Sequence, residues 1–510
     1  MAASAAARGR LGAMRNGVRG ALAGVAAAAV ALGLAELVAV FVGARSAPLV
    51  AVGGVVVDNV PEPLKQFAID AFGVHDKTAL MIGTVVLLAA FAALIGYLAV
   101  RHIGYGYAGI ALFGVIGIGA ALTRPDAGVA YALPSLLGVG AAAVVLWRLV
   151  SPADDVDLED RRHFLTGVAV VLGAAAATGL GGRWLANRRT VSEARSAVTL
   201  PIPADPAPAV PETLSLPQLA PYVTSNRAFY RIDTALVVPQ VDPATWELKI
   251  HGRVRRPMTL TFEQLLARPM VERYVTLACV SNEVGGDLIG NARWLGVPLK
   301  DLLDEVEPLD GADQVVGRSS DGWTCGTPTA VLRDGRDALL AVGMNGEPLP
   351  IDHGFPVRMV VPGLYGYVSA CKWVVELELT SFADFDAYWV PRGWSAQAPI
   401  KTQSRIDTPR SRNNLTPGPI TVAGVAWAQH RGIARVEVRV DDGPWQEATL
   451  ARTVSVDTWV QWSWRWDATS GAHRLQVRAT DSTGATQPEE ENPPAPDGAT
   501  GWHSVDVEVE

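Results

Sequence analysis

Five apolar stretches lie within residues 18 to 185, at about 18 to 43, 78 to 100, 103 to 122, 128 to 150 and 164 to 185. Each approaches the ~20 residues that a helix needs to cross a bilayer. In hydrocarbon every backbone amide has to be paired within its own segment, so this part of the chain reads as an α-helical membrane domain of about five spans. The mean hydropathy of +0.21 is high because of this region, whereas residues 190 to 510 read as ordinary globular sequence rich in turns. Basic residues give the orientation: Arg8, Arg10, Arg15 and Arg19 precede the first span, Arg101 and His102 follow the second, and Arg148, Arg161 and Arg162 follow the fourth. These are alternate loops, so the positive-inside rule places them all in the cytoplasm and everything after residue 190 outside. The Arg188-Arg189 pair opposes that orientation without reversing it.

Glu36 falls inside the first apolar stretch, where an ionisable group is either a functional candidate or a residue facing neighbouring helices. Residues 47 to 74 hold a short apolar run, then Pro61 and Pro63, and suggest a re-entrant or interfacial segment. His75, His102 and His163 sit near span boundaries and do not form the facing pair that a bis-histidine haem requires. Arg161-Arg162, followed by Phe164-Leu165 and an apolar region, is twin-arginine-like; it is equally a pair of positive-inside arginines beside a helix. The twin-arginine route exports folded proteins, and a domain carrying a cofactor assembled in the cytoplasm requires such a route. The net charge of −8 without a basic stripe argues against nucleic acid as a partner. Three cysteines provide no disulfide framework, although a Cys325 to Cys371 bridge stays open.

The expected division is a membrane domain over 1–189, a proline-rich linker over 190–221, a mixed α+β domain over 222–405 and a β-domain over 406–510. The linker, with TLPIPADPAPAVPETLSLPQLAP, is expected to run extended and hold the following domain off the bilayer. Beyond it, WELKIHGRV reads as a strand closing on a turn, and FEQLLAR as a short helix entered through Thr261. QVVGRSSDGW, VRMVVPG and WVVELEL read as further strands, and VPLKDLLDEV and DALLAV as short helical pieces. The pattern predicts a largely antiparallel α+β domain.

YVTLACVSNEVGG, from 274 to 286, ends a strand on Cys279 and then turns through glycines that allow close backbone approach. A thiol there is either a soft metal ligand or a small buried apolar residue. The surrounding residues carry a resemblance. NARWLGVPLKDLLDEV, followed by MNGEPLP, HGFPVR, PG and KW in order, resembles the sulfite oxidase family of molybdenum enzymes over about residues 215 to 405. The resemblance implies that Cys279 binds molybdenum together with the dithiolene of one molybdopterin. It further implies that His353, Arg358, Ser369, Lys372 and a serine of the GRSSDG turn, Ser319 or Ser320, hold the pterin. The residue types suit that task, since a guanidinium fork matches phosphate and an ammonium adds a compact charge. Alone, each is also a turn histidine, a surface ion pair or an ordinary loop serine.

Arg231 matches an arginine expected near metal and substrate, and Tyr388 is the candidate for an active-site tyrosine, close to Gly393-Trp394. Three positions depart from the sulfite-oxidising pattern. Asp233 stands where a histidine is usual, Glu283 and Val284 follow Asn282 in place of basic residues, and Gly393-Trp394 falls where the tyrosine is expected. A carboxylate at Glu283 would oppose an anionic substrate. The implied activity is therefore two-electron oxygen-atom transfer on a small molecule by a molybdenum-dependent oxidoreductase, with sulfite itself in doubt. The alternatives are an S-oxide or N-oxide reductase, or a non-catalytic binding module on the same fold. Electrons then need a separate partner, a cytochrome or the quinone pool.

From 406, short alternating strands separated by DDGPW and DSTG predict an immunoglobulin-like β-sandwich. Its tryptophans Trp427, Trp445, Trp459, Trp462, Trp464 and Trp466 suggest either carbohydrate contact or, by their alternation, a core and its surface. The family resemblance implies that this domain can form a homodimer.

Overall fold

A computed structural model describes the chain except residues 1, 62–63, 65–66, 68–70, 73–75, 126, 151–157, 189–190 and 412–413. Pro63, His75 and Arg189 lie outside the described residues. The structure divides into two units, one formed by Met1–Thr190 with Thr234–Val238 and the other by Val191–Asp233 with Pro239–Glu510.

The first unit contains α1 (Ala2–Val42), α2 (Pro48–Asn59), α3 (Asp76–Ala99), α4 (Ile103–Leu122), α5 (Leu133–Val150) and α6 (Leu158–Arg188). Small residues set the packing of α1 against α3: a Cβ at Gly24 or Gly96 would collide with the backbone of the facing helix. Among the described residues four helices are long and apolar enough to cross a membrane, Asn16–Val42, Ala79–Ala99, Ile103–Leu122 and Val129–Val150. The expected count of about five is not reached among the described residues. The fifth stretch does lie within a 31-residue helix, α6, but its apolar part is the shorter Phe164–Gly179. Arg161 and Arg162 fall in the first turns of that helix. The segment expected to be re-entrant begins as the apolar helix α2, which is too short to span. His102 acts as a helix cap, its Nδ1 accepting the Gly104 N–H at 3.2 Å. Glu36 is half-buried in α1.

The second unit opens with a short helix, α7 (Ser192–Ala197), and the proline-rich segment. That segment is extended, but it does not stand free, which corrects the spacer reading. Ala204 N–H donates to Met270 O and Glu272 N–H to Asp205 O, while Ala220 N–H reaches Asp407 Oδ2 at 2.9 Å and Leu214 N–H reaches Gln461 Oε1 at 2.9 Å. Its residues therefore belong to the domain that they precede. Prolines lack the amide but keep their carbonyls, and the N–H groups between them remain available for pairing.

The α+β part contains β1 (Glu247–Gly252), β2 (Met258–Thr261), β3 (Val271–Ala278), β4 (Ile289–Pro298), β5 (Gln314–Ser319), β6 (Thr324–Pro328), β7 (Leu339–Met344), β8 (Glu347–Pro348), β9 (Arg358–Val360) and β10 (Val374–Thr380). Its helices are α8 (Phe262–Leu266), α9 (Leu299–Val306) and α10 (Gly366–Ser369). One sheet has the order β2-β1-β10-β5-β6 and the other β3-β4-β7-β8, with β9 on β7. Only β1 with β10 is parallel among the named strands of these sheets. Thr261 caps α8 through a reciprocal capping box with Gln264, as its spacing predicts. DALLAV is corrected from helix to strand: it forms most of β7, which is buried at every position and paired on both sides. A strand covered on both faces presents an unbroken apolar run, which periodicity cannot distinguish from a short helix.

The carboxy-terminal part contains β11 (Gln403–Thr408), β12 (Asn414–Leu415), β13 (Gly418–Trp427), β14 (Ile433–Val440), β15 (Gln446–Glu447), β16 (Thr449–Leu450), β17 (Val460–Ala468), β18 (Gly471–Asp481) and β19 (His503–Val509). They form two sheets, β11-β13-β17-β16 and β12-β19-β18-β14-β15, enclosing one apolar core. Trp462 and Trp466 are buried in this core, as the alternation implies, whereas Trp427 and Trp459 are buried against the α+β part. Trp445 instead meets Trp502 edge-on at the surface, with Arg439 and Arg478 over their rings.

Candidate active site

β3 runs antiparallel to β4, with Thr276 opposite Asn291 and Ala278 opposite Ile289. It is an edge strand, and the sandwich covers its outer side. Thr276 N–H donates to Asp457 O at 2.9 Å, Gln429 Nε2 donates to Thr276 O at 3.0 Å, and Thr276 Oγ1 accepts the Trp459 N–H at 2.8 Å. Immediately after this clamped segment Cys279 leaves the ladder. Its N–H donates to Leu288 O at 2.9 Å and its carbonyl accepts the Asn282 N–H at 3.1 Å. Asn282 staples the loop by accepting the Leu288 N–H at 2.8 Å, and Gly285, at φ +76°, completes the turn. The strand thus delivers one thiol to a fixed place.

Cys279 is buried. Burial pushes its thiol pKa up, while hydrogen bonds from Ser281 and Val280 and the charge of Lys372 pull the other way. Such a thiol becomes a thiolate when a metal replaces its proton. Tyr230 and Tyr365 both couple electrostatically to it, and burial raises both phenols, Tyr365 to about 12, so both stay protonated donors.

The stretch from 351 to 372 supplies cations. Arg358 opens β9, is 5% exposed and lies over the Trp294 ring at 5.0 Å. Its Nη1 donates to His353 O at 3.0 Å. Burial lowers its pKa to about 10, leaving it a cation at neutral pH. The neighbours that favour its charge are Tyr230 and Cys371; among the described residues no carboxylate pairs with it. A buried charge without a counterion is destabilising by several kcal/mol, and the phosphate of a pterin cofactor would supply the missing anion. His353 is buried with Nε2 3.0 Å from Asn226 O, and burial together with Arg358 lowers its pKa to about 4, so the ring is neutral. Lys372 is also enclosed. Desolvation lowers its pKa to about 8, against the opposing pull of Asp233, whose Oδ2 lies 2.7 Å from Nζ. The next residue, Trp373, holds a left-handed φ of +51° and donates Nε1 to Ile351 O at 2.9 Å, which fixes the turn that presents Lys372.

Arg231 joins this group, with Nε 2.9 Å from the same Asp233 oxygen and Nη1 3.7 Å from Asp352 Oδ2. Cys279, Arg231, His353, Arg358 and Lys372 are therefore linked through shared neighbours. The serines differ. Ser369 is fully buried and its Oγ donates to Leu364 O and Tyr365 O, bracing α10. Ser319 Oγ accepts the Asp321 N–H at 3.4 Å, and the adjoining Ser320 N–H binds Trp373 O at 2.8 Å, so this turn supports the Lys372 turn from behind. Tyr388 packs against Trp389 and under the Arg392 guanidinium, with its N–H on Thr324 Oγ1 at 3.0 Å. Tyr230 and Tyr365 are the tyrosines that couple to the thiol, and neither carried a motif signal beyond Tyr230's place beside Arg231. Glu283 is exposed, so the carboxylate that enters the site is Asp233. Cys325 and Cys371 are free, buried thiols adjacent to each other.

Residues 235–389 match the model of the oxidoreductase molybdopterin binding domain, and residues 403–477 that of the bacterial Ig domain. The mitochondrial sulfite oxidase of Mus musculus is 32% identical over 287 residues, covering 48% of this chain and 52% of that protein. A nitrate reductase [NAD(P)H] of Hordeum vulgare is 28% identical over 316 residues, covering 49% of this chain and 35% of that protein. The solved sulfane dehydrogenase SoxCD of Paracoccus pantotrophus superposes with a TM-score of 0.49 at 24% identity, covering 57% of this chain and 84% of that one. The chain spans about half the length of the mouse relative.

Proposed function

Because the central domain is a molybdenum-molybdopterin oxidoreductase domain of the sulfite oxidase family, we propose that this chain is a membrane-anchored enzyme moving one oxygen atom to or from a small molecule outside the cytoplasmic membrane. The observation that carries the chemistry is the convergence of one enclosed thiol, Cys279, with an enclosed guanidinium, Arg358, that lacks a carboxylate partner among the described residues. The bound cofactor supplies a two-electron redox centre. The chain's own residues do the rest. Cys279 supplies a soft ligand, Arg358 and Lys372 bind the anionic parts of the pterin, and the His353 carbonyl holds the Arg358 guanidinium while its neutral ring is tied to Asn226 O. Arg231 faces the space left for a substrate, the Ser281 hydroxyl hydrogen-bonds the thiol, and protonated Tyr230 and Tyr365 lie within electrostatic reach of it.

Four apolar helices support anchoring, and the alternate basic loops support an extracytoplasmic catalytic domain. The twin-arginine-like Arg161-Arg162 pair fits export of a preloaded domain. Electrons leave or arrive through a separate partner, a cytochrome or quinone. The sandwich serves this chain first as a brace for β3, and a homodimer through its free face is a second role. The test is metal analysis of the purified full chain, followed by a redox-dye assay with sulfite, sulfoxides and N-oxides. Stoichiometric molybdenum with turnover supports an enzyme; a well-folded, metal-free protein supports a binding module instead.

A further inference from the structure

We propose that Asp233 sets the charge of the substrate pocket, so that the site takes an uncharged S-oxide or N-oxide, or the corresponding reduced sulfur or nitrogen compound, in preference to a dianionic oxyanion. This rests on the reading that a substrate reacts beside Cys279. Three cations approach that space, Arg231, Lys372 and Arg358. Arg358 is enclosed and committed to the cofactor's phosphate. Lys372, which also grips the pterin, shares a single carboxylate oxygen with Arg231, Nζ at 2.7 Å and Nε at 2.9 Å from Asp233 Oδ2. Asp352 stands 3.7 Å from Arg231 Nη1, so Arg231 faces a second carboxylate. Burial keeps His353 neutral, and it keeps Tyr230 and Tyr365 protonated. Asp233, and from the exposed side Asp352, therefore offset the charges of Arg231 and of Lys372, the cation coupled to the thiol.

Burial gives this balance its force. The Asp233 side chain is 6% exposed, so water does not screen it as it screens a surface pair. A dianion entering the pocket has either to displace Asp233 from its donors or to sit against a buried like charge, and the bound cofactor adds negative charge of its own. The oxygen of a net-uncharged S-oxide or N-oxide needs only a hydrogen-bond donor, which the outer guanidinium nitrogens of Arg231 offer without releasing Asp233.

The experiment uses the molybdenum-loaded full chain in detergent, comparing the parent with Asp233→Asn. Inorganic sulfate, an unreactive dianion, is titrated by calorimetry, and dimethyl sulfoxide serves as the uncharged probe. Sulfate should bind the variant at least about tenfold more tightly than the parent, with no comparable tightening for dimethyl sulfoxide. Equal sulfate affinity in parent and variant overturns the proposal. So does a variant that folds without molybdenum, because Asp233 would then belong to the cofactor's grip, and so does a parent that turns over sulfite but neither dimethyl sulfoxide nor an N-oxide. Should Asp233→Asn fail to fold, Asp352→Asn frees the outer side of Arg231, and unchanged sulfate affinity there overturns it equally. Molybdenum content of the parent tests the underlying enzyme reading separately.

Discussion

Lys372 and Asp233 form an enclosed ion pair, Nζ to Oδ2 at 2.7 Å, and Arg231 holds the same oxygen from the other side at 2.9 Å. Removing one partner of such a pair leaves the other charge desolvated. Lys372→Met should destabilise the apo domain by about 2 kcal/mol, less than for an isolated buried pair because Arg231 remains on Asp233. The double variant Lys372→Met/Asp233→Asn should recover much of that loss. Chemical denaturation of all three variants measures the coupling, and simple additivity would contradict the account.

Arg358 is the enclosed cation that lacks a carboxylate among the described residues. Arg358→Met should leave the apo fold as stable as the parent or more so, yet reduce pterin retention at least about tenfold, since a charge-assisted fork to phosphate is lost. Arg358→Lys should restore only part of it, because an ammonium cannot make the same paired contact. Pterin content after gel filtration provides the readout, and full retention in Arg358→Met would be inconsistent with this role.

Thr276 ties the sandwich to the strand that presents Cys279. Its Oγ1 accepts the Trp459 N–H at 2.8 Å and donates to Asn291 Oδ1 at 3.1 Å. Thr276→Val strands both partners inside the protein and should cost about 1–3 kcal/mol of stability. Because Thr276 lies three residues before Cys279, a faster loss of cofactor on warming should accompany it. Parallel measurement of melting and cofactor release would show the two moving together.

His503 gives the fold an acid limit. Its Nδ1 accepts the Ile406 N–H at 3.0 Å, which requires the unprotonated ring, and burial first, then Arg405, lowers its pKa to about 4 from an ordinary 6.5. Between those values the unfolded chain binds more protons than the folded one, so the contribution is complete above pH 6.5 and disappears as the pH falls towards 4. His353 follows the same sign with a pKa of about 4. The melting temperature should therefore fall across this range, and His503→Asn, which keeps an acceptor, should fall less steeply. A variant with the parent's slope would remove His503 from the explanation.

Much of the fold was legible where local chemistry decides it. Thr261 with Gln264 spelled out a helix start, and the alternation in WVQWSWRW produced a strand with Trp462 and Trp466 inside. DALLAV misled because β7 is covered on both faces and has no polar side to mark its period. The proline-rich segment misled because its partners, Met270, Asp407 and Gln461, are distant in sequence. At the site, motif order singled out Cys279, His353, Arg358 and Lys372. The weight placed on Glu283 belonged to Asp233, and only the three-dimensional return of residues 231–233 to Lys372 shows it. Tyr230 and Tyr365 carried no pattern, since their place beside the thiol depends on loops meeting across the domain.

The central claim is that the Cys279 sulfur binds molybdenum, and molybdenum X-ray absorption on the purified full chain tests it most directly. The parent should show thiolate sulfur at the metal beyond the dithiolene pair, and Cys279→Ser should lack that extra sulfur while keeping the fold. An unchanged sulfur shell in the variant, or a folded parent that holds no molybdenum after expression with the cofactor supplied, would contradict it.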